Sequence, residues 1–113
     1  MVSWNWATDF PGSIMVCDLD GIILEMNPKA AQNYRKDGGM ELVGRNVIEC
    51  HPEPARSKLK QLLETGGSNI YTSEKKGIKR LVYQAPWYQE GRRQGMVELV
   101  LEIPLDLPHF VRE

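Results

Sequence analysis

Gly21-Ile22-Ile23-Leu24-Glu25-Met26-Asn27-Pro28 is the stretch that decides the fold. It sets a turn glycine, a short apolar run carrying one charge, and an Asn-Pro step side by side. Upstream, Ser13 to Asp18 (Ser-Ile-Met-Val-Cys-Asp) is rich in strand-forming residues. Leu19-Asp20-Gly21 reads as a turn, because Asp and Gly suit its backbone. Ser13 to Asp18 and Ile22 to Met26 therefore read as a β-hairpin. Asn27 is a good helix cap and Pro28 suits a first helical position. Ala30, Ala31 and Tyr34 share one face of the helix that follows, and Gly38-Gly39 stops it.

Further along, Met40 to His51 reads as short helical pieces broken at Gly44 and Pro52. Pro54 to Thr65 is an amphipathic helix, with Leu59, Leu62 and Leu63 at spacings of three and four and charged residues around them. Gly66-Gly67 ends it. Asn69 to Ser73, Ile78 to Tyr88 and Met96 to Ile103 read as three strands, joined at Lys75-Lys76-Gly77 and at Glu90-Gly91-Arg92-Arg93. Two strands, several helices and three strands predict an α+β fold. It is a five-stranded antiparallel sheet with helices packed on one face.

Gly21 to Pro28, followed by Glu41-Leu42-Val43-Gly44-Arg45-Asn46, resembles the PAS sensor family. In that family an asparagine closes the second strand, and a Leu-Val-Gly-Arg-Asn step enters a short helix above a ligand pocket. The resemblance covers about residues 10 to 104 and is carried by the order of the motifs more than by any one of them. It implies a detector or docking module, a stand-alone single PAS domain, rather than a catalyst. It divides the chain into a leader (1–10), a sensor domain (11–104) and a tail (105–113).

With 113 residues, one domain is expected, burying roughly two-thirds of its unfolded surface. A net charge of −1 and scattered basic residues argue against a nucleic-acid surface. No apolar run is long enough for a membrane span, and the first residues do not resemble a secretory signal. Cys17 and Cys50 then fit a reducing, cytoplasmic setting.

Strand alternation assigns faces. If Glu98 and Glu102 point outward, Val97, Leu99, Leu101 and Ile103 point into the core. If Arg80 and Gln84 point outward, Leu81, Tyr83 and Ala85 point in; if Glu25 does, Ile22, Leu24 and Met26 point in. The outer face would still carry Ile23, Val82 and Val100 and would need partial cover. The leader residues Val2, Trp4, Trp6 and Phe10 can supply it, folded over their own sheet or packed on a second chain. PAS relatives pair through such a leader and the outer sheet face, so the resemblance implies a homodimer, with a signalling protein as a further partner.

The pocket expected from alternation and resemblance together is lined by Met15, Cys17, Met26, Tyr34, Val47, His51, Leu62, Tyr83 and Leu99. His51 borders it and is the candidate haem ligand, since haem needs a single protein ligand, or else a hydrogen-bonding group; Cys50-His51 alone is a poor zinc site. The flavin-binding GxNCRFLQ segment of light-sensing PAS domains is absent, so flavin is not expected, and the cofactor is left open. Asp18-Leu19-Asp20-Gly21 also resembles the nucleophile motif of haloacid-dehalogenase-type phosphatases. Ile22 after the glycine, the chain length and the hairpin return argue for a plain turn instead. The tail lacks the Asp-Ile-Thr ending through which many PAS domains pass their signal on, so output is expected through partner contacts. The leading expectation is a ligand-binding sensor; the alternative is a ligand-free dimerisation scaffold on the same fold.

Overall fold

Strand β1 (Ser13–Asp18) turns back into β2 (Ile23–Met26) across the tight turn that Asp18 itself builds. A computed structural model of the protein describes residues 5 to 113. In it the Asp18 carboxylate accepts from the backbone N–H of Asp20 and of Ile22, both at 2.9 Å. Those bonds give the Asp-x-Asp-Gly stretch a backbone role in a turn.

The second motif lies against the first. The Gly44 N–H donates to the Ile23 carbonyl, the Ile23 N–H to Arg45, and the Val47 N–H to Gly21. The segment 42–47 thus covers the free edge of β2, which would otherwise leave backbone groups unpaired. Asn46 bonds the Asp20 carbonyl and the Ile48 N–H from this position.

Asn27 joins three parts of the chain. Its side-chain oxygen accepts from Ile14 and Ala30, and its nitrogen donates to the carbonyls of Ala7 and Gly12. It caps α2 (Pro28–Asn33), with Pro28 at the helix start as expected, and ties the short helix α1 (Trp6–Asp9) to β1. Two 3₁₀ turns follow, Arg35–Asp37 and Gly39–Leu42, and then α3 (Ala55–Thr65).

Gly66 ends α3 in the left-handed conformation (φ 74°), where a side chain is unfavourable. Arg93 then grips that end: its guanidinium donates to the carbonyls of Leu63 and Glu64, at the negative pole of the helix.

Strands β3 (Asn69–Lys75), β4 (Ile78–Gln89) and β5 (Arg92–Ile103) complete an antiparallel sheet in the order β2-β1-β5-β4-β3. The β4–β5 hairpin is longer than its sequence indicates. Glu90 and Gly91, both at positive φ, make the whole turn, and Arg92 and Arg93 pair within the strand. Lys76-Gly77 does the same for β3 and β4. Two central residues at positive φ match the right-handed twist of the flanking strands.

The core lies between the sheet and α2, α3 and the 3₁₀ turns. It holds Met15, Cys17, Ile23, Met26, Ala30, Leu42, Val47, Leu59, Leu62, Leu63 and Met96. β5 passes so close to β1 that a Cβ at Gly95 would collide with the Cys17 carbonyl oxygen, to which the Trp87 indole also donates.

Strand facing departs from the sequence reading in three strands. A register shift beside Val16 and Cys17 pairs Cys17 with Ile23 and leaves Leu24 unpaired, so Ile23 is buried and Leu24 is exposed. In β4 and β5 the charged and amide residues turn inward. Gln84 and Glu98 are buried beneath the helices, and Tyr83 and Leu99 lie on the opposite face.

Candidate functional site

Asn69, Gln84 and Glu98 are paired across β3, β4 and β5, so their side chains share the helix-facing side of the sheet. They form one hydrogen-bonded chain. Asn69 donates to the Gln84 side-chain oxygen at 2.9 Å, and Gln84 donates to Glu98 Oε2 at 2.7 Å. From the C-cap of α2, the Tyr34 hydroxyl donates to Glu98 Oε1 at 2.6 Å. Burial would be costly for each of these groups alone, and the chain of bonds offsets it.

These residues floor a cavity of about 480 Å³, whose other walls come from His51, Pro54, Ala55, Lys58, Leu59 and Tyr71. A second cavity of about 210 Å³ adjoins it and includes Met15, Ile23, Val47 and Cys50. Tyr34 and His51 belong to both walls and so stand between the two spaces.

His51 Nδ1 lies 2.8 Å from the Val47 carbonyl oxygen. A carbonyl can only accept, so Nδ1 carries a proton and donates, and Nε2 is left outside that bond. Burial, then the Glu98 carboxylate, raises the Tyr34 pKa well above the usual phenol range, and Tyr71 rises for the same reasons. Both phenols therefore stay neutral beside the carboxylate.

Of the nine residues expected around the pocket, Met15, Tyr34, Val47 and His51 line these two cavities. Cys17 and Leu62 are packed into the core without reaching either space. Met26 is also in the core and touches a third space on the outer side. Leu99 faces that outer space, and Tyr83 is 40% exposed on the same face, so neither stands at the cavity. The sequence reading passed over Asn69, Gln84 and Glu98. Their signal is the strand register, which aligns three hydrogen-bonding side chains in one row.

The outer face is apolar. Ile14, Val16, Val97 and Leu99 form the floor of a groove of about 650 Å³ against α1. Trp6 and Phe10 meet edge to face at 5.7 Å, yet Trp6 remains 70% exposed. The described part of the leader thus lies on its own sheet and covers it incompletely. Val2 and Trp4 fall outside the described residues. Beyond β5, residues 104 to 113 form no helix or strand, and Leu105, Leu107, Phe110 and Val111 are exposed.

Among the described residues no three His, Cys, Asp or Glu side chains are grouped to hold a metal, and no helix is long and apolar enough to cross a membrane. No family profile and no curated protein matches the chain. Solved structures do. A C-terminal domain from Streptococcus mutans is 24% identical, with TM-score 0.70, over 84% of this chain and 78% of that one. The sensor region of a sensor histidine kinase is 23% identical, with TM-score 0.59, over 80% of this chain and 38% of the longer one. The Aer2 receptor from Vibrio cholerae, a dual PAS-haem oxygen sensor, is 21% identical, with TM-score 0.57, over 81% of this chain and 94% of that one. These likenesses establish the PAS fold.

Proposed function

We propose that this chain, a domain with the PAS fold, is a sensory signalling module. It binds a small molecule between sheet and helices and passes the event on through its outer sheet face. The observation that carries the reading is the pair of adjoining cavities of about 480 and 210 Å³ with Tyr34 and His51 between them. A domain built only as a scaffold has no need of a Tyr34–Glu98–Gln84–Asn69 chain, with Glu98 and Gln84 buried, at the floor of open space. A molecule entering there would contact α3, β5 and Tyr34 at the end of α2 at once and shift them together.

The outer face is the output surface in this reading. α1 leaves Trp6 bare beside the half-buried Val16, Val97 and Leu99, and a second copy packed on that groove would bury them. Residues 1–10 act as the cap, 11–104 as the sensor and 105–113 as the tail. The setting is the cytoplasm, and the role is detection, not catalysis.

The Aer2 receptor's haem makes haem the ligand to test first. The Nε2 of His51 lies outside the Val47 bond and is the atom that would meet iron, but the macrocycle would lie against Glu98, Gln84 and Asn69, which need donors and acceptors. The polar floor favours a smaller, polar ligand. Native mass spectrometry and an absorbance scan of the freshly purified chain test the reading. A bound mass lost on unfolding, with no Soret band, is expected. A Soret band would reinstate haem. A bare mass together with a collapsed cavity in a crystal structure would leave the scaffold.

A further inference from the structure

Glu98 holds a carboxylate at the floor of the larger cavity with 5% of its surface exposed. Its two bonding partners, the Tyr34 hydroxyl and the Gln84 amide, are neutral donors. The ion pair found among the described residues joins Arg80 to Glu102, so no basic side chain there is paired with Glu98. Lys58, the lysine in the wall, is exposed and makes no such pair. A carboxylate offers about four lone-pair sites, and two of them are filled. A charge taken from water without a counter-charge is costly. The open side of this one faces a space that also has two neutral phenol rings, Tyr34 and Tyr71, in its wall. A negative group beside aromatic faces is the surrounding that favours a cation.

We infer that the cavity takes a small organic cation with N–H donors, a protonated amine or amidine, whose nitrogen bonds to Glu98. This rests on the ligand-binding function proposed above. The charged nitrogen would bond to Glu98 beside its Tyr34 and Gln84 donors and bring a counter-charge to it. The carbon part of the ligand would lie against Leu59, Ala55 and Pro54.

The test is a titration of the ¹⁵N-labelled full chain, following the amide signals of cavity residues. Two probes of one shape are used, benzylammonium chloride and benzyl alcohol. Benzylammonium should bind at least about tenfold more tightly, the worth of a hydrogen bond to a charged group. Glu98→Gln keeps the side-chain volume and removes the charge, and it should bring the two probes to equal affinity. Equal affinity in the native chain, or a preference that survives Glu98→Gln, overturns the inference while ligand binding stands. If neither probe shifts a cavity amide, the inference and the ligand-binding function fail together. Should Glu98→Gln not fold, benzyltrimethylammonium decides with the native chain. It carries the charge without N–H donors and must bind more weakly than benzylammonium; equal binding overturns the inference.

Discussion

Along the row of Asn69, Gln84 and Glu98, the two faces of this sheet reverse the usual assignment of polar and apolar residues. The helix-covered face holds Glu98 and Gln84, buried, and Asn69, half-buried, in a hydrogen-bonded row, and the other face shows Val16, Val97, Leu99 and Tyr83 to a part-covered groove or to solvent. Polar groups are stable under a lid when each has a partner. Apolar groups stay on an outer face when something else is to cover them. In the proposed reading, the inner face is specialised to hold a ligand and the outer face to hold a partner.

Truncation should separate the faces most strongly. Leu62→Ala removes a side chain from the closed core, and unfolding by urea should show a loss of about 3 kcal/mol. Leu99→Ala, on the outer face, should cost only about 1 kcal/mol while weakening self-association in sedimentation. Equal losses would erase the distinction.

Glu98→Ala should come next, at about 2 kcal/mol, because it leaves the Tyr34 hydroxyl and the Gln84 amide without their acceptor. A neutral result would show that Glu98 faces water.

Cysteine chemistry sharpens the same contrast. Burial pushes the Cys17 thiol up to about 11 from its ordinary 9.0, with smaller effects from the Met96 backbone and from Asp18 and Glu98, whereas Cys50 is exposed. Near pH 8 a thiol reagent should label Cys50 alone in the native chain and both cysteines after unfolding. Because the folded thiol keeps its proton longer, stability is unaffected below pH 9 and falls as pH rises toward 11, by about 2 kcal/mol. Tyr34 adds a loss of the same sign at higher pH. Cys17→Ala should flatten the first part of this decline in pH-dependent urea melts.

The smallest effect belongs to the leader. Trp6→Ala should alter stability by about 0.5 kcal/mol or less, since Trp6 is largely exposed. If copies pair through the outer face, it should still weaken the dimer in sedimentation at micromolar concentration. A monomer unchanged by deletion of residues 1–9 would remove that role.

Much of the architecture is legible in local residue chemistry. Asn27-Pro28 reads as a helix start and is one, Asp18 to Gly21 reads as a turn and is one, and β1 keeps its predicted ends at Ser13 and Asp18. The facing of β4 and β5 was not legible. Alternation tells which residues share a side but not which side meets the helices. Glu98 and Gln84 carried the wrong answer because a charged or amide residue is ordinarily assigned to water. The error moved Tyr83 and Leu99 to the cavity and left Gln84 and Asn69 out of it. In β2, the unpaired Leu24 broke the two-residue period, a local kink with no mark in the side-chain types. The cavity itself was beyond the sequence, since filled and open cores share one apolar pattern.

Nitration of the four tyrosines in the native chain, located by peptide mass mapping, tests the facing of the sheet most directly. Tyr83, Tyr71 and Tyr88 are open to the reagent and should be modified, while Tyr34, half-buried with its hydroxyl on Glu98 and held neutral, should be modified far more slowly until the chain unfolds. Modification of Tyr34 with protection of Tyr83 would put the polar row outside and contradict the account.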